Sequence, residues 1–435
     1  MPGLIGFYTF GEGRENWDAS RFIRYGLSAL QGRGQESISL ATVGLGSTLR
    51  TLGGKGGVEE FFEKNRTIIP KGFIGIGQTS SYTDDYLVHV KAPYELVLAL
   101  DGKTDLHEDR GEATKLFARQ LSQLLYSEKE PLKATSMLIN KIGGGYSFVA
   151  LTHKQELVTG RNPLGVKPLE TGSVGFDIAA VASETCGLDV MGIDPTGPVE
   201  TGEVIIFTPE DIRGNTPAAD AGNFCSYEYV YLARLDSRVN TLPVARVRNS
   251  IGRELATTHP ANADVVIGVP ETALPIANGY SQGSDLPLEI GFVRTGENIR
   301  AALKPTQKER LIGVQLKLNP VRSAVEDRDV VLVDDSVLRG NTLRNTVINL
   351  KRNGAKRIHV RIGSPALVSP CPYGVEIPAK DELISASLDQ EELANSVGTD
   401  SISFMTVEEL QRAIGLPRQS LCMRCFEKGG VTRLE

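Results

Sequence analysis

Two adjacent carboxylates, then hydroxyls, an arginine and a glycine, form the run best suited to chemistry: Asp334-Asp335-Ser336-Val-Leu-Arg339-Gly340-Asn341-Thr342. A turn rich in Ser, Gly, Asn and Thr offers amide and hydroxyl donors to a phosphate. Two acids just before it suit ribose hydroxyls, which donate and accept in pairs. Chemistry that needs both is phosphoribosyl transfer from 5-phosphoribosyl-1-pyrophosphate (PRPP). A strand, a turn and a helix with two acids could also be nothing more than a capped helix with solvated carboxylates.

The flanking residues supply the elements that must position this run. Val330-Val-Leu-Val333 reads as a buried parallel strand. Residues 342–353 carry apolar positions at Leu343, Val347 and Leu350 and read as an amphipathic helix. Ligands of open α/β sheets sit beyond the carboxyl ends of strands, where these acids fall. Around this unit the second half has a βαβ rhythm: Val265–Val269, a helix near Pro275–Gln282, Leu288–Val293 and Ile358–Ile362, a doubly wound parallel sheet. The first half reads differently. Strands are expected at Leu4–Phe10, Ser37–Val43, Phe73–Gly77, Leu87–Val90, Leu96–Leu100, Tyr146–Leu151 and Val204–Phe207, with a helix at Ser20–Gln31, which implies layered α+β. The polar, turn-rich stretch 209–222 marks the boundary between residues 2–221 and 222–435.

Bulk properties exclude several classes. The 435 residues carry a net charge of -6, so neither nucleic acid nor an anionic membrane is an evident partner. No apolar run is long enough to span a bilayer, and Met-Pro-Gly-Leu-Ile-Gly-Phe lacks the basic region of a signal peptide, so a cytoplasmic setting is expected. Five cysteines are too few and too scattered for a secreted disulfide framework. The five histidines, residues 89, 107, 153, 259 and 359, have no ligand spacing.

The run Val-Val-Leu-Val-Asp-Asp-Ser-x-x-Arg-Gly-x-Thr resembles the PRPP-binding motif of type I phosphoribosyltransferases. Other landmarks extend the likeness over nearly the whole chain: Gln31-Gly-Arg-Gly-Gln-Glu36, Arg161-Asn-Pro-Leu-Gly-Val-Lys-Pro-Leu169, Val181-Ala-Ser-Glu-Thr-Cys186, Glu228-Tyr-Val-Tyr-Leu-Ala-Arg-Leu-Asp-Ser237 and Lys317-Leu-Asn-Pro-Val-Arg322. Together they resemble the amidophosphoribosyltransferases of purine synthesis, the iron–sulfur branch in particular. The resemblance implies an N-terminal-nucleophile-type glutaminase domain of αββα layers, followed by an α/β type I phosphoribosyltransferase domain. In that family the first releases ammonia and the second adds it to C1 of PRPP.

The glutaminase chemistry is expected to be absent. The family opens Cys-Gly-x-x-Gly, whereas Pro2 stands here before Gly3, and once Met1 is removed proline offers no thiol to attack an amide. Ser80 replaces the arginine that clamps the glutamine carboxylate, and Asp101-Gly102 replaces the Asn-Gly of the oxyanion hole. The segment after Gly102 looks shorter than in the family, which leaves open whether Asp109 stands for the glutamine-binding acid.

In the transferase half the resemblance implies that Asp334 and Asp335 hold the ribose hydroxyls and that Ser336, Arg339, Gly340, Asn341 and Thr342 hold the 5-phosphate. The pyrophosphate loop reads Val269-Pro-Glu271-Thr272-Ala273 in place of Val-Pro-Asp-Ser-Gly, and Ala273 puts its close approach to pyrophosphate in doubt. Arg300 and Lys304 stand where a catalytic flexible loop covers Mg2+–PRPP, and the basic stretch Lys304–Arg310 is either a phosphate track or a solvated face. A lone Cys422-x-x-Cys425 is ambiguous by spacing alone: redox pair, zinc ligands or buried thiols. The resemblance adds Cys225 and Cys371 and implies a 4Fe–4S cluster on the four. Cys186 reads as core.

Two functions follow. One is an enzyme making phosphoribosylamine from PRPP and ammonia. The other is an inactive regulatory or structural subunit, assembled with an active family member or with itself, that senses PRPP or purine nucleotides. A DNA-binding regulator on the same fold lacks any supporting charge or helix-turn-helix signal.

Overall fold

The computed structural model describes residues 1–216, 222–293 and 318–427. The N-terminal half is two stacked antiparallel sheets with helices outside both. Seven strands run in the order Asp194–Pro198, Glu170–Val174, Ile178–Ala182, Gly3–Thr9, Ile74–Ser80, Ser37–Val43, Arg50–Lys55. Six form the second sheet, with Leu157–Arg161 and Gly144–Thr152 at its centre and Leu96–Thr104 beside the latter.

Alternation along the strands builds the layers. Leu4 and Tyr8 face inward with Val97, Ala99, Val149 and Leu151, making the core between the sheets. Ile5 and Phe7 face outward onto Ile23 and Leu27 of helix Ala19–Ala29. Leu96, Leu98 and Phe148 face outward onto Phe117, Leu121 and Leu138 of helices Arg110–Glu128 and Pro131–Lys141. This is the expected αββα arrangement. The strands Ser37–Val43 and Val204–Phe207 fall where the alternation places them, and the others end within a few residues of the expected bounds.

The C-terminal half is a parallel sheet in the order Val265–Gly268, Asp329–Asp334, Arg357–Ile362, Ser401–Phe404. Helices Val244–Thr258 and Leu274–Ser284 cover one face, and Asn341–Arg352 with Gln390–Val397 the other. The first two helices touch backbone to backbone. A Cβ on Gly252 would lie 1.9 Å from the Ile276 carbonyl oxygen, and one on Gly279 would lie 2.0 Å from that of Asn249. Leu288–Val293 departs from expectation. Only a parallel bridge from Leu288 to Val266 and a two-residue pairing of Phe292–Val293 with Asn319–Pro320 form. Between them Gly291 lies against the Ile267 side chain, and the chain leaves the sheet edge there.

Candidate functional site

Strand Asp329–Asp334 ends in the two acids, and both are buried. The Asp335 amide donates to Asp334 Oδ1 at 2.9 Å. The Ser336 hydroxyl donates to Asp335 Oδ1 at 2.7 Å, and the Thr272 hydroxyl donates to Asp335 Oδ2. Burial pushes the Asp334 carboxyl well above the usual range, and the charge of Asp335 adds to it. Burial also raises Asp335, against the hydroxyls of Thr272 and Ser336 and the charge of Arg248. A pair that resists double ionisation presents both a donor and an acceptor, which is what a vicinal diol requires.

Gly340, at φ +75, turns the chain into helix Asn341–Arg352, and no side chain among the described residues caps the helix's first amides. These donors remain directed outward, with the positive end of the helix dipole behind them. Asn341 and Thr342 form that first turn. Arg339 is half-exposed and paired with Glu382, Nε to Oε2 at 2.7 Å. Ala273 is buried with φ -86 and ψ -9, a right-handed conformation open to any residue. The alanine there therefore does not distort the turn, and the doubt raised from its sequence does not extend to the backbone. Glu271, Thr272 and Leu338 line a cavity of 1250 Å³, with Tyr227, Tyr231 and Arg248. The same cavity runs to Met1, Arg33, Ser81 and Glu376, so it spans both halves of the chain. Arg300, Lys304 and the stretch Lys304–Arg310 lie outside the described residues.

At the N-terminal end of this cavity the charges answer one another. Arg33 is buried, with Nε on Glu184 Oε1 at 2.6 Å, NH2 on Glu228 Oε2 at 2.7 Å and NH1 3.6 Å from Asp101. Lys167, also buried, lies 3.5 Å from Asp101 Oδ1 and donates to Met1 Sδ at 3.1 Å. Burial opposes the charge of Arg33, but Glu228, Glu184 and Asp101 outweigh it and raise its pKa. Lys167 is held up in the same way, chiefly by Asp101 and then Glu228. Asp101 accepts no hydrogen bond from the described residues and meets its cations as ion pairs only. Pro2 is buried beside this network. Ser80 donates to Asp85 Oδ2 at 2.6 Å, and Asp85 in turn takes Arg110 at 2.6 Å. Asp109 is a helix cap, accepting from the Glu112 amide at 2.9 Å.

The four cysteines named from the sequence converge. Cys225 stands opposite Cys422 in a parallel pairing of Phe224–Cys225 with Leu421–Cys422. The carbonyl of Cys425 takes the amides of Val368 and Ser369, just before Cys371. Cys371 Sγ takes the Tyr373 amide at 3.3 Å. Every pair among the four interacts electrostatically. Among the described residues no group of three His, Cys, Asp or Glu is placed to hold a metal ion. Three buried thiols and the partly exposed Cys371, with an amide donor on its sulfur, form the kind of donor set that an iron–sulfur cluster accepts. Cys186 is fully buried in the core, as expected. His89 and His259 pair with Glu95 and Glu409, and His359 with the Ser401 hydroxyl.

Sequence reading missed Tyr227, Arg248 and the convergence of Arg33, Lys167, Glu184 and Glu228. Each except Arg248 sat inside or beside a quoted motif, but nothing in the chain signalled that these motifs meet.

A glutaminase-type αββα domain followed by a phosphoribosyltransferase domain, sharing one cavity, defines the class. Residues 244–366 match the family described as phosphoribosyl transferase domain. The amidophosphoribosyltransferase of Methanothermobacter thermautotrophicus is 35% identical, over 98% of this chain and 93% of its own length. That of Bacillus subtilis is 32% identical over 94% of this chain and 90% of its own. The solved structure of glutamine PRPP amidotransferase from B. subtilis, complexed with ADP and GMP, superposes with a TM-score of 0.87 at 30% identity, covering 98% of this chain and 96% of that one. The chain belongs to the amidophosphoribosyltransferase family of purine biosynthesis. No helix among the described residues is long and apolar enough to cross a membrane.

Proposed function

We propose that this chain is an amidophosphoribosyltransferase that has lost its glutaminase and forms 5-phosphoribosylamine from PRPP and ammonia. The observation that carries this reading is the contrast at the two ends of the shared cavity. Asp334 and Asp335 are held by hydroxyls and a backbone amide at one end, while at the other Arg33 and Lys167 are paired with Asp101 beside Pro2, where the family has its cysteine nucleophile.

Residues 2–221 would be the degenerate glutaminase domain and 222–435 the transferase domain. Asp334 and Asp335 would orient the ribose. Ser336, Gly340, Asn341 and Thr342 would hold the 5-phosphate on the free helix amides, with Arg339 at the rim. Glu271 and Thr272 would meet the pyrophosphate, and Arg300 and Lys304 would cover it. Mg2+ bound to PRPP would neutralise the departing pyrophosphate. Ammonia attacks C1 as the C1–O bond to pyrophosphate breaks, and the extra proton leaves to solvent. Cys225, Cys371, Cys422 and Cys425 would hold a 4Fe–4S cluster with a structural role, stapling the start of the transferase domain to its C-terminal end. Reduced thiols suit a cytoplasmic setting. Homo-oligomers, and purine nucleotides as effectors, are in keeping with the family.

A second reading is a catalytically inactive paralogue that serves as a regulatory or structural subunit of an active amidophosphoribosyltransferase. Glu271-Thr272-Ala273, in place of Asp-Ser-Gly, favours it.

The test is phosphoribosylamine formation by anaerobically purified protein from Mg2+–PRPP with ammonium and, separately, with glutamine, alongside iron and sulfide content. Turnover with ammonium alone supports the enzyme. Silence with both donors despite PRPP binding selects the subunit, and turnover with glutamine sinks both readings.

A further inference from the structure

Tyr227 lies between the two sites described above. Its hydroxyl is 2.9 Å from Ser336 Oγ. Ser336 has one hydroxyl proton, and it goes to Asp335 at 2.7 Å. The bond between Tyr227 and Ser336 must therefore run from tyrosine to serine. A directed chain results: Tyr227 to Ser336 to Asp335, with Thr272 closing on the other carboxylate oxygen. The ring of Tyr227 is buried and meets Phe426 edge-on, with centroids 6.2 Å apart. Phe426 follows Cys425, and Tyr227 comes two residues after Cys225. Between them the Ser226 hydroxyl donates to the Cys422 carbonyl at 2.7 Å. The ring of the tyrosine thus packs between Phe426 on the cysteine side and Tyr231, 5.6 Å away between centroids, and its hydroxyl meets the acid pair through Ser336.

We propose that Tyr227 is a positioning residue of the PRPP site: its hydroxyl fixes the Ser336–Asp335 pair, and its ring ties that pair to the four-cysteine site. This rests on the PRPP reading above. Hydroxyl rotors and buried carboxylates have several low-energy settings, and a donor held by a packed ring removes all but one. The geometry that meets ribose is then inherited from the packing of Cys225, Cys425 and Phe426.

Equilibrium binding of Mg2+–PRPP to the full chain, with iron content monitored throughout, tests the proposal. Tyr227→Phe and Ser336→Ala each weaken PRPP by roughly two- to tenfold, the range for one lost hydrogen bond. The double variant is no weaker than Ser336→Ala alone, because both changes cut the same chain. Phe426→Leu weakens PRPP in the wild-type background and has no further effect on Tyr227→Phe. A purely structural role for the tyrosine gives additive losses instead and overturns the proposal. So does unchanged binding by Tyr227→Phe while wild type binds PRPP, an outcome that leaves the proposed function standing. Wild type that binds no PRPP overturns both.

Discussion

The two ends of the shared cavity use buried charges in opposite ways. Near Pro2, two cations are paired with three carboxylates inside the protein: Arg33 and Lys167 against Asp101, Glu184 and Glu228. Near Asp335, two carboxylates are held mainly by hydroxyls and a backbone amide, with Arg248 acting from further off. Buried cations engaged by several carboxylates are largely taken up by those pairs. Buried acids pushed toward the neutral form are poised to take a ligand. On the proposed function, the N-terminal network would pack the halves together and the C-terminal pair would bind the ligand.

The largest effect should come from removing the acids. The Asp334→Ala, Asp335→Ala double variant should lose PRPP affinity by roughly 10²- to 10⁴-fold, the range for two charge-assisted hydrogen bonds. Equilibrium dialysis with Mg2+–PRPP measures it, and ammonium-dependent turnover should disappear in parallel. An unchanged affinity would erase the distinction between the two ends.

This half of the comparison was legible in the sequence, because strand, acids, turn and helix are contiguous from Val330 to Arg352 and one periodicity change marks them. The other half was legible only as loss. Pro2, Ser80 and Asp101 depart from the family pattern at the positions expected to supply a thiol, a clamp and a donor. The ion network beside them was hidden, because Arg33 reaches Glu184 and Glu228 across 151 and 195 residues. The motifs around positions 33, 167, 184 and 228 were recognised singly, while their meeting is a property of the folded chain. The fourth strand of the parallel sheet, Ser401–Phe404, escaped for a related reason: four partly polar residues carry little alternation, and their place is set by pairing with Arg357–Ile362.

A smaller effect, on stability, should come from breaking the network. Arg33→Met leaves Glu184, Glu228 and Asp101 buried with only Lys167 to balance them, and should cost roughly 3–5 kcal/mol of unfolding free energy. Urea unfolding measures it, and adding Glu228→Gln should recover part of the loss. Neither variant should hydrolyse glutamine. Destabilisation below about 1 kcal/mol would mean that the network is solvated in practice and that the comparison overstates its burial.

The smallest effect tests whether paired burial at the domain boundary also governs pH response. Glu170 accepts the Asn240 amide at 3.1 Å, and Asn240 Oδ1 takes Arg161 at 2.8 Å. Burial raises the Glu170 carboxyl to about 7, against the Asn240 amide and Arg161 and with help from Glu200. The folded state therefore holds this proton more tightly than the unfolded chain does. The stabilisation is complete below the unfolded value near 4.5 and is lost as pH rises through about 7. Over that window the loss amounts to roughly 3 kcal/mol at most. Glu170→Gln carries no titrating group, so its stability relative to wild type should climb between pH 5 and pH 8 and then level off. Unfolding free energies at the two pH values decide the matter. An equal difference at both would mean that Glu170 is already ionised in the fold, with Arg161 as its counter-ion, and that this contact belongs with the paired charges around Arg33.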